Sequence, residues 1–347
     1  MWRLIDASGN RAAEGLRVCE EILRFTGFED GYIRAKRLRH RLRALLAPHR
    51  DALLAARDTA GDPGRTKGVS GEYRRSGEAA VFAANVRRAQ EALRALEEAM
   101  KTHDARAARK LEALRFAAYA LEKEFAGRVG RLAALREASL YVVCSRPREE
   151  ALRVAGAVAG VAGAFQLRMK GADGATVHRT AEAVKRILAG SGTLFIVNDR
   201  ADVAAGVGAD GVHLGRRDLP TSAVRKFFSG VVGATVHTPA QLRRRLRTAD
   251  YFGVGAFYPT RTRSHARARG PALAEIMKGC DRIWFAIGGV TEERLDELAA
   301  VGVERVAVGE AICAAADPGT AARRIKRRLE RLLAERKDAI EGRIVEL

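Results

Sequence analysis

Cysteine is scarce in this sequence, and the few cysteines form no cluster. The four, Cys19, Cys144, Cys280 and Cys313, are spread over 347 residues without a Cys-x-x-Cys pair or an adjacent histidine at zinc-ligand spacing. This distribution argues against a zinc cluster and against a disulfide framework. We therefore expect reduced thiols that are mostly buried.

Long hydrophobic runs are also missing. No apolar run approaches the ~18–20 residues that a membrane-spanning helix needs, and the first residues lack the charged and then apolar layout of a secretory signal. The sequence therefore predicts a cytoplasmic protein with no membrane partner.

Aromatic residues make up only 6% of the chain, whereas the formal net charge is +20. Such a charge permits binding to nucleic acid, but the interleaved basic and aromatic residues of RNA-binding sheets are absent. Most of the arginines lie along amphipathic helical segments, where a solvated face is the ordinary explanation. Nucleic acid is therefore not expected as a partner, and small anionic substrates suit the charge equally well.

Residues 1–136 predict an all-α domain. From residue 10 onward, apolar residues recur at intervals of three and four, as Leu16, Cys19 and Leu23 do, with charged residues between them. The one clear interruption is residues 58–77, where clustered glycine, proline, aspartate and serine cannot sustain a helix. Loops of this length are often functional.

An internal repeat marks this helical domain. The pattern Arg-x-x-Glu-x-x-Arg-x-x-Glu occurs twice, beginning at Arg11 and at Arg88, and an asparagine precedes each copy. Two explanations stay open: a pair of amphipathic helices with surface ion pairs, or a polar site between the helices. The candidate residues for such a site are Asn10, Arg11, Glu14, Arg17, Asn85, Glu91 and Arg94.

After residue 139 the pattern changes to short apolar segments that alternate with helical stretches, which is typical of an α/β fold. The segments are residues 140–144, 165–170, 194–198, 211–214, 231–236, 251–255, 283–288 and 306–309. Eight such units predict a (β/α)8 TIM barrel over residues 137–336, followed by a C-terminal tail at 337–347. A doubly wound open sheet is the competing architecture, but no Gly-x-Gly-x-x-Gly follows the first segment.

Polar residues close the second apolar segment, which ends Gln166-Leu-Arg168-Met-Lys170. Period-two alternation would send Gln166, Arg168 and Lys170 to one face, into the barrel. Buried cations are costly unless an anion pairs with them, so a phosphate-bearing substrate is the expected partner.

Carboxylates follow the next two segments. Asn198 and Asp199 close the third segment, and Asp218 comes shortly after the fourth. Two carboxylates from neighbouring strands could share a hard cation such as Mg²⁺. Asp218 alone would be explained as a helix cap, but beside Asn198 and Asp199 we favour the metal.

The later segments are followed by hydroxyl groups, glycines and basic side chains, which are the groups that a second phosphate needs. A lone histidine at a strand end would usually be structural. The residues concerned are Thr235, His237, Thr260, Thr262, Arg263, Gly288, Gly289, Gly309 and Glu310.

Five motifs stand in order over residues 139–333: Gln-x-Arg-x-Lys, Asn-Asp-Arg, His-Leu-Gly-x-x-Asp-Leu-Pro, Pro-Thr-x-Thr and Ile-Gly-Gly. In this order they resemble the thiamine phosphate synthase family. In that family, 4-amino-5-hydroxymethyl-2-methylpyrimidine diphosphate loses pyrophosphate with help from Mg²⁺, and the ring nitrogen of hydroxyethylthiazole phosphate captures the pyrimidine cation. The resemblance implies a transferase of thiamine biosynthesis with small phosphorylated substrates.

The resemblance also implies a role for each matching residue. The Mg²⁺ ligands would be Asp199 and Asp218. The residues that hold the pyrimidine diphosphate would be Gln166, Arg168, Lys170, Asn198, Thr235 and Arg263. The residues that receive the thiazole phosphate would be Thr260, Thr262, Gly288, Gly289, Gly309 and Glu310.

Three positions depart from the family pattern. Thr235 stands where serine is usual and Arg263 where lysine is usual, which keeps the hydroxyl and the charge. Gly309-Glu310 stands where Val-Ser usually meets the thiazole phosphate. A carboxylate near a phosphate is repulsive unless it turns away or pairs with an arginine, so the affinity for thiazole phosphate is the property at stake.

A related barrel family, the thiazole tautomerases, provides the alternative enzyme. Members of that family rely on a histidine at the position of His237 as an acid or base. The retained Asp199 and Asp218 argue against this alternative, because an isomerase has no need of a Mg²⁺–pyrophosphate site.

Residues 5–20 and 58–64 are similar to a helical domain that is fused ahead of thiamine phosphate synthases and regarded as a hydroxymethylpyrimidine phosphate kinase. The similarity implies a multifunctional enzyme that uses ATP to make the barrel's substrate. The chain has no Gly-x-x-x-x-Gly-Lys-Ser/Thr motif, so a non-catalytic dimerisation or docking module is the alternative. Whether the chain forms a homo-oligomer is left open.

Overall fold

A computed structural model of the chain describes residues 1–61, 74–260 and 268–345. The chain divides into two compact units, Met1–Gly130 and Arg131–Leu347. The first unit is helical and the second contains the strands. None of the helices in the described ranges has the length and apolar character that crossing a membrane would need.

The helical unit confirms the predicted all-α domain. Its helices are α1 (Trp2–Phe25), α2 (Glu29–Leu46), α3 (Arg50–Ala55), α4 (Glu78–Met100) and most of α5 (Ala105–Glu137), with a 3₁₀ turn at Ala47–His49. Helix α1 packs along α2 and α4, and it buries Ile5, Leu16 and Leu23 completely. Its approach to α4 is close, because a Cβ on Gly15 would lie 2.7 Å from the Asn85 carbonyl oxygen.

The helical pattern has more breaks than the sequence analysis predicted. Helix α1 ends where Gly27 takes a φ of +84° and the Phe28 amide donates to the Leu23 carbonyl at 2.8 Å. Residues 101–104 separate α4 from α5, and the Asp104 carboxylate accepts bonds from two amides of the first turn of α5. A single glycine and a single aspartate are weak signals inside a long amphipathic pattern, and the prediction of one interruption was therefore wrong.

The predicted interruption at residues 58–77 lies between two helices. Helix α3 ends at Ala55 and α4 begins at Glu78. Residues 62–73, which include part of the stretch that carries the kinase resemblance, lie outside the described residues.

The second unit is a closed barrel of eight parallel strands. The strands are β1 (Leu140–Cys144), β2 (Ala164–Leu167), β3 (Leu194–Asn198), β4 (Gly211–Leu214), β5 (Val231–Val236), β6 (Tyr251–Gly255), β7 (Ile283–Ile287) and β8 (Val306–Val308). Neighbours along the chain are neighbours in the sheet, and β8 pairs with β1. This closure confirms the predicted TIM barrel and excludes an open doubly wound sheet.

Helices cover the barrel between successive strands. They are α6 (Arg148–Val158), α7 (Gly174–Leu188), α8 (Ala201–Val207), α9 (Thr221–Val224), α10 (Pro239–Arg245), α11 (Leu295–Ala300), α12 (Glu310–Cys313) and α13 (Pro318–Val345), with 3₁₀ helices at Pro271–Met277 and Glu292–Arg294. Nearly every strand residue is buried, which explains why the strands read as apolar runs without strict alternation. Helix α13 runs through residues 337–345, which were predicted as part of a tail.

Three strands end sooner than predicted. Strand β2 ends at Leu167, β7 at Ile287 and β8 at Val308. After Leu167, the Arg168 amide still donates to the β1 strand, at 2.9 Å, and the chain then leaves the sheet. Residues 168–170 therefore belong to the loop that follows β2, which changes the direction of their side chains.

Candidate active site at the carboxyl ends of the strands

A cavity of about 400 Å³ opens at the carboxyl ends of the barrel strands. This is the face where TIM barrels gather their catalytic groups. The predicted residues that line it are Gln166, Arg168, Asn198, Thr235, His237, Thr260, Gly288, Gly289, Gly309 and Glu310. The structure therefore brings residues from the loops and ends of six strands into one site.

A buried chain of hydrogen bonds forms the floor of the cavity. The Tyr141 hydroxyl donates to Gln166 Oε1 at 2.9 Å, and Gln166 Nε2 donates to Asn198 Oδ1 at 2.8 Å. Tyr141 also bonds to the Tyr251 hydroxyl at 3.0 Å, and burial raises its pKa well above the usual range for tyrosine. Because the hydroxyl stays protonated, the network fixes the orientation of both amides before any substrate arrives.

The basic residues after β2 lie at the rim of the barrel. Arg168 lines the cavity and donates to Ser145 Oγ at 3.1 Å. Lys170 is half exposed and pairs with Asp199, with 3.2 Å between Nζ and Oδ2. The prediction that Gln166, Arg168 and Lys170 all point into the barrel was wrong for Lys170, which does not line the cavity, because β2 ends at Leu167; Gln166 and Arg168 both line it.

Asp199 and Asp218 lie together, as predicted. Asp199 follows β3 with a φ of +64°, and Asp218 Oδ2 accepts a bond from the Gly215 amide at 2.6 Å. Burial raises the pKa of Asp199, the adjacent Asp218 carboxylate raises it further, and Lys170 partly offsets both effects. The N-cap position of α9 is held by Pro220, so Asp218 is not a helix cap.

The carboxylate pair fits a divalent cation. Two adjacent carboxylates offer oxygen ligands, and oxygen is the ligand that Mg²⁺ prefers. No cluster of three or more histidine, cysteine, aspartate or glutamate ligands occurs in residues 1–61, 74–260 and 268–345. A site with so few protein ligands suits Mg²⁺, which usually keeps several waters and binds substrate phosphates.

Two glycines after β7 shape the opposite side of the cavity. Gly288 has a φ of +99° and Gly289 a φ of +63°. A Cβ on Gly288 would lie 2.6 Å from the Ala256 Cβ, and one on Gly289 would lie 2.4 Å from a carbonyl oxygen. Arg294 lines the cavity here and donates to the Gly289 carbonyl at 2.6 Å. Thr262 and Arg263, which were predicted for this region, lie outside the described residues.

Glu310 lies at the cavity wall and is paired. Its Oε1 lies 2.9 Å from Arg146 Nη2, and Arg146 comes from the loop after β1. The expected repulsion of a phosphate by this carboxylate is therefore reduced by a neighbouring guanidinium, which is one of the two arrangements that the sequence analysis allowed.

Thr235 and His237 lie on and just after β5. Thr235 Oγ1 is 3.0 Å from His213 Nε2, and both side chains are buried. His237 Nδ1 is hydrogen-bonded to the Gly255 carbonyl, and the His237 amide donates to Gln241. The His237 ring is therefore held by the backbone at one nitrogen.

Several residues of the site were not predicted from sequence. Arg245 on α10 donates to the carbonyl oxygens of Leu214 and Thr235 at 3.3 and 3.2 Å, and burial lowers its pKa. It was missed because it stands in an arginine-rich helix that looked like a solvated face. We did not predict Tyr141, Tyr251 and His213 because they look like core residues of strands. Their hydroxyl groups and ring nitrogens, which need hydrogen-bond partners when buried, could have indicated a polar site. The other residues that were not predicted are Ser145 and Arg294 in the wall and Arg146 beside Glu310.

In the helical unit, the residues predicted for a site do not gather around one cavity, unlike those of the barrel. Arg17 pairs with Glu20 and Glu21 on its own helix, and Arg94 with Glu97 and Glu98. Asn10 lines a separate cavity of about 350 Å³ within this unit. Exposed positions are occupied by Arg11, Glu14 and Glu91, whereas Asn85 donates to the Val81 carbonyl at 2.8 Å.

The internal repeat therefore consists of helices with ion pairs. Glu20 is 2% exposed and Glu97 is 3% exposed, although both are charged residues. Each is paired by an arginine from the next helix of the unit: Arg39 Nε lies 2.8 Å from Glu20, and Arg115 Nε lies 3.0 Å from Glu97. The matching pairs differ from the surface ion pairs of the first explanation, since both glutamates are buried and join neighbouring helices.

Comparison with known proteins identifies the family. A family model described as thiamine monophosphate synthase matches residues 140–312, and a ThiD2 family model matches residues 3–124. The chain is 39% identical to a thiamine-phosphate synthase of Gloeobacter violaceus, over 91% of this chain and 93% of that protein. The chain belongs to the thiamine-phosphate synthase family. It is 38% identical to the thiamine-phosphate synthase of Thermosynechococcus vestitus, over 94% of each chain.

The barrel is also similar to a solved structure of the thiamine-phosphate synthase family. A thiamine phosphate pyrophosphorylase from Pyrococcus furiosus aligns with a TM-score of 0.52 and 30% identity, over 57% of this chain and 98% of that one. Membership in the thiamine-phosphate synthase family makes the chain a transferase with thiamine-phosphate synthase activity, and small phosphorylated substrates fit this family. Both of the curated relatives are named as synthases.

Proposed function

We propose that the barrel condenses 4-amino-5-hydroxymethyl-2-methylpyrimidine diphosphate with hydroxyethylthiazole phosphate to give thiamine phosphate and pyrophosphate. The bond between the pyrimidine methylene carbon and the diphosphate oxygen breaks, and pyrophosphate leaves with the electron pair. The lone pair of the thiazole nitrogen then forms the new C–N bond. The observation that carries the proposal is the cavity itself, which has Gln166, Arg168 and Asn198 on one side and Gly288, Gly289 and Arg294 on the other.

The pyrimidine diphosphate would lie on the side of β2 and β3. Gln166 and Asn198 are fixed by the buried network, so they can orient the pyrimidine ring. Arg168 and Lys170 would hold the diphosphate oxygens, with Thr235 and Arg263 as further contacts. Preorganised cations at this point stabilise the negative charge that develops as pyrophosphate departs.

Asp199 and Asp218 would hold Mg²⁺. When bound, the ion would neutralise charge on the pyrophosphate oxygens. The support for this assignment is the closeness of the two carboxylates; burial raises the pKa of Asp199, and the neighbouring Asp218 raises it further. Lys170, which pairs with Asp199, stands where it can contact the same diphosphate.

The thiazole phosphate would lie on the side of β6 to β8. Gly288 and Gly289 let the loop after β7 pack tightly against Ala256 and Pro259, so that its backbone lines the cavity. Thr260 lines the same wall. Arg294 supplies a cation there, and Arg146 supplies another beside Glu310. Gly309 lines the same cavity, and the family resemblance would add Thr262 as a contact of this phosphate.

We further propose that the helical unit phosphorylates the pyrimidine monophosphate with ATP. The match of residues 3–124 to the ThiD2 family and the resemblance noted from sequence support this proposal. The product would be the substrate of the barrel, so that one chain would carry two consecutive steps.

The test uses the purified chain in two parallel reactions with thiazole phosphate and Mg²⁺. One reaction receives the pyrimidine monophosphate and ATP, and the other receives the pyrimidine diphosphate without ATP. Thiamine phosphate in both reactions is the expected result. Product from the diphosphate alone would remove the kinase proposal, and no product in either would contradict the proposed synthase reaction.

A further inference from the structure

The helical unit contains a cavity of about 350 Å³ that the proposed synthase does not use. It lies between α1, α2, the 3₁₀ turn and α3, so all of its wall comes from one unit. The residues that line it are Asp6, Gly9, Asn10, Ala13, Arg43, Leu46, Ala47, Arg50, Leu53, Leu54 and Arg57. Its volume is at the lower end of the range for ligand pockets, which suits a small molecule better than a nucleoside triphosphate.

One side of this cavity contains a buried carboxylate whose charge is balanced by an arginine. Asp6 is 8% exposed and forms two bonds with Arg57, from Nε to Oδ2 at 2.8 Å and from Nη2 to Oδ1 at 2.6 Å. Asn10 Nδ2 also donates to Asp6 Oδ1, at 3.2 Å. The hydrogen bonds from Arg57 lower the pKa of Asp6, so the pair is fully charged and neutral as a unit near pH 7.

Two further arginines line the cavity without a partner. Arg43 is in the last turn of α2 and Arg50 begins α3. Within residues 1–61, 74–260 and 268–345, neither side chain has a hydrogen bond or an ion pair. Since Arg57 already compensates Asp6, the wall carries two positive charges in excess. A phosphate monoester carries about −1.5 to −2 charges at pH 7, which matches this excess.

The rest of the wall is apolar. Leu46, Leu53 and Ala13 contribute to it, and Leu54 is 58% exposed at its edge. An exposed leucine beside two unpaired arginines is suited to the face of a small ring whose phosphate lies on the guanidinium groups. The oxygen of the Asn10 side-chain amide is an acceptor for a ring substituent, because its nitrogen is already bonded to Asp6.

We propose that this cavity binds a phosphate monoester of a small aromatic heterocycle, with Arg43 and Arg50 on the phosphate and Asn10 at the ring. The inference deepens the proposed kinase function and rests on it for the identity of the ligand, which would be the pyrimidine monophosphate. The site itself is argued from the residues of the cavity.

The position of the two tryptophans allows binding to this unit to be measured alone. Trp2 is about one to three turns from the cavity residues of α1. Its ring lies against His49, which precedes Arg50, with centroids 5.3 Å apart. The other tryptophan, Trp284, lies on β7 of the barrel. In the full-length Trp284→Phe variant, fluorescence therefore reports on the helical unit.

In the experiment, this variant is titrated with the pyrimidine monophosphate, the unphosphorylated alcohol and ATP in separate titrations. No turnover occurs under these conditions. The monophosphate is expected to change Trp2 fluorescence and to bind at least ~10-fold more tightly than the alcohol, the loss typical of a missing charged contact. Adding Arg43→Gln and Arg50→Gln should weaken binding at least ~10-fold, by the same argument. Adding Arg37→Gln and Arg41→Gln, which remove the same charge from exposed positions of α2 outside the cavity, should not.

The outcomes separate the site from the proposed function. The proposed site would be overturned if the Arg43/Arg50 and Arg37/Arg41 variants bound the monophosphate equally well. It would also be overturned if ATP, and not the monophosphate, changed the Trp2 fluorescence. An unchanged far-ultraviolet circular dichroism spectrum and an unchanged Tm of the helical unit show that the arginine variants are folded; synthase turnover reports only on the barrel, which is a separate unit. If the monophosphate binds through Arg43 and Arg50 but ATP yields no diphosphate, the site stands and the kinase proposal fails. If the arginine variant binds normally and still makes diphosphate, the kinase stands and the site is wrong.

Discussion

Asp199 combines a left-handed backbone with a carboxylate that is placed against Asp218. Asparagine tolerates a φ near +64° better than alanine does, so Asp199→Asn removes the charge with little backbone strain. We expect kcat/KM of the synthase reaction to fall at least ~100-fold, beyond the ~10–100-fold typical of groups that only position a metal ligand. Steady-state assays with the pyrimidine diphosphate over a range of Mg²⁺ concentrations measure this.

The same substitution should leave the barrel intact. Removing one of two repelling carboxylates relieves a like-charge contact, so the Tm is expected to stay constant or to rise. Asp202→Asn is the matched control, because Asp202 is exposed and pairs with Arg200 on the surface. Full activity in Asp199→Asn, or an equal loss in Asp202→Asn, would contradict the metal assignment.

Glu310 gives a second prediction for a single residue. Glu310→Ser removes a half-exposed carboxylate from the cavity wall and releases Arg146 to interact with the substrate phosphate. We expect the KM for thiazole phosphate to fall by about 2–5-fold, since a partly exposed charge interaction contributes up to ~1 kcal/mol. The measurement is KM for each substrate separately, and the KM for the pyrimidine diphosphate should not change.

Glu150→Ser is the control for this prediction. Glu150 lies 3.8 Å from the same Arg146 but does not line the cavity. It should therefore leave both KM values unchanged. A thiazole phosphate KM that is unaltered in Glu310→Ser would mean that the carboxylate does not face the phosphate.

The loop after β7 is the element on which the thiazole phosphate end depends. Gly288→Ala would force a Cβ to within 2.6 Å of another Cβ at a φ of +99°, so it combines an unfavourable backbone with a collision. We expect the unfolding free energy of the barrel to fall by more than ~2 kcal/mol and the KM for thiazole phosphate to rise. Chemical denaturation followed by fluorescence, together with steady-state kinetics, tests both effects.

Gly190→Ala separates the two causes. Gly190 has a φ of +75° with open space around its would-be Cβ, so only the backbone cost of about 1–2 kcal/mol applies. It follows α7 and lies outside the cavity. If both variants lose the same stability and both keep their KM, the close packing of Gly288 is not what shapes the site.

The bounds of a strand were predictable where an apolar run begins and stops abruptly in the sequence. Strands β1 and β3 were predicted with their observed bounds because a turn signal or a charged residue follows directly. Strand β2 was not, since Gln166, Arg168 and Lys170 continue the alternation of a strand after the chain has left the sheet. Nothing in a period of two distinguishes the last residue of a strand from the first residues of an extended loop.

The site was predictable where polar residues follow a strand and not where they lie inside it. The closeness of Asp199 and Asp218 was predicted because the two carboxylates follow neighbouring strands. Tyr141 was not, because its hydroxyl bonds to Gln166 from the neighbouring strand, and such a pairing depends on the register between β1 and β2. Arg245 contacts β4 and β5 from α10, which sequence spacing does not reveal.

At the scale of the whole molecule, the question is whether the synthase needs the helical unit. The end of α5 is bonded to the barrel: Arg131 pairs with Asp210 at 2.9 Å, and Arg305 donates to the Arg136 carbonyl at 3.0 Å. In the solved relative from Pyrococcus furiosus, 98% of the chain is matched by 57% of this chain. A barrel with these contacts retained should therefore fold alone.

We expect a truncated chain of residues 131–347 to make thiamine phosphate from the pyrimidine diphosphate with kcat/KM within about 3-fold of the full chain, as for an independent domain. It should make none from the monophosphate and ATP. A chain of residues 139–347 is the matched comparison, because it loses Arg131, Arg136 and the buried Leu135, and it should unfold at a lower temperature. Loss of synthase activity in a folded 131–347 chain would show that the barrel depends on the helical unit for more than its substrate, because circular dichroism and Tm would already have excluded unfolding as the cause.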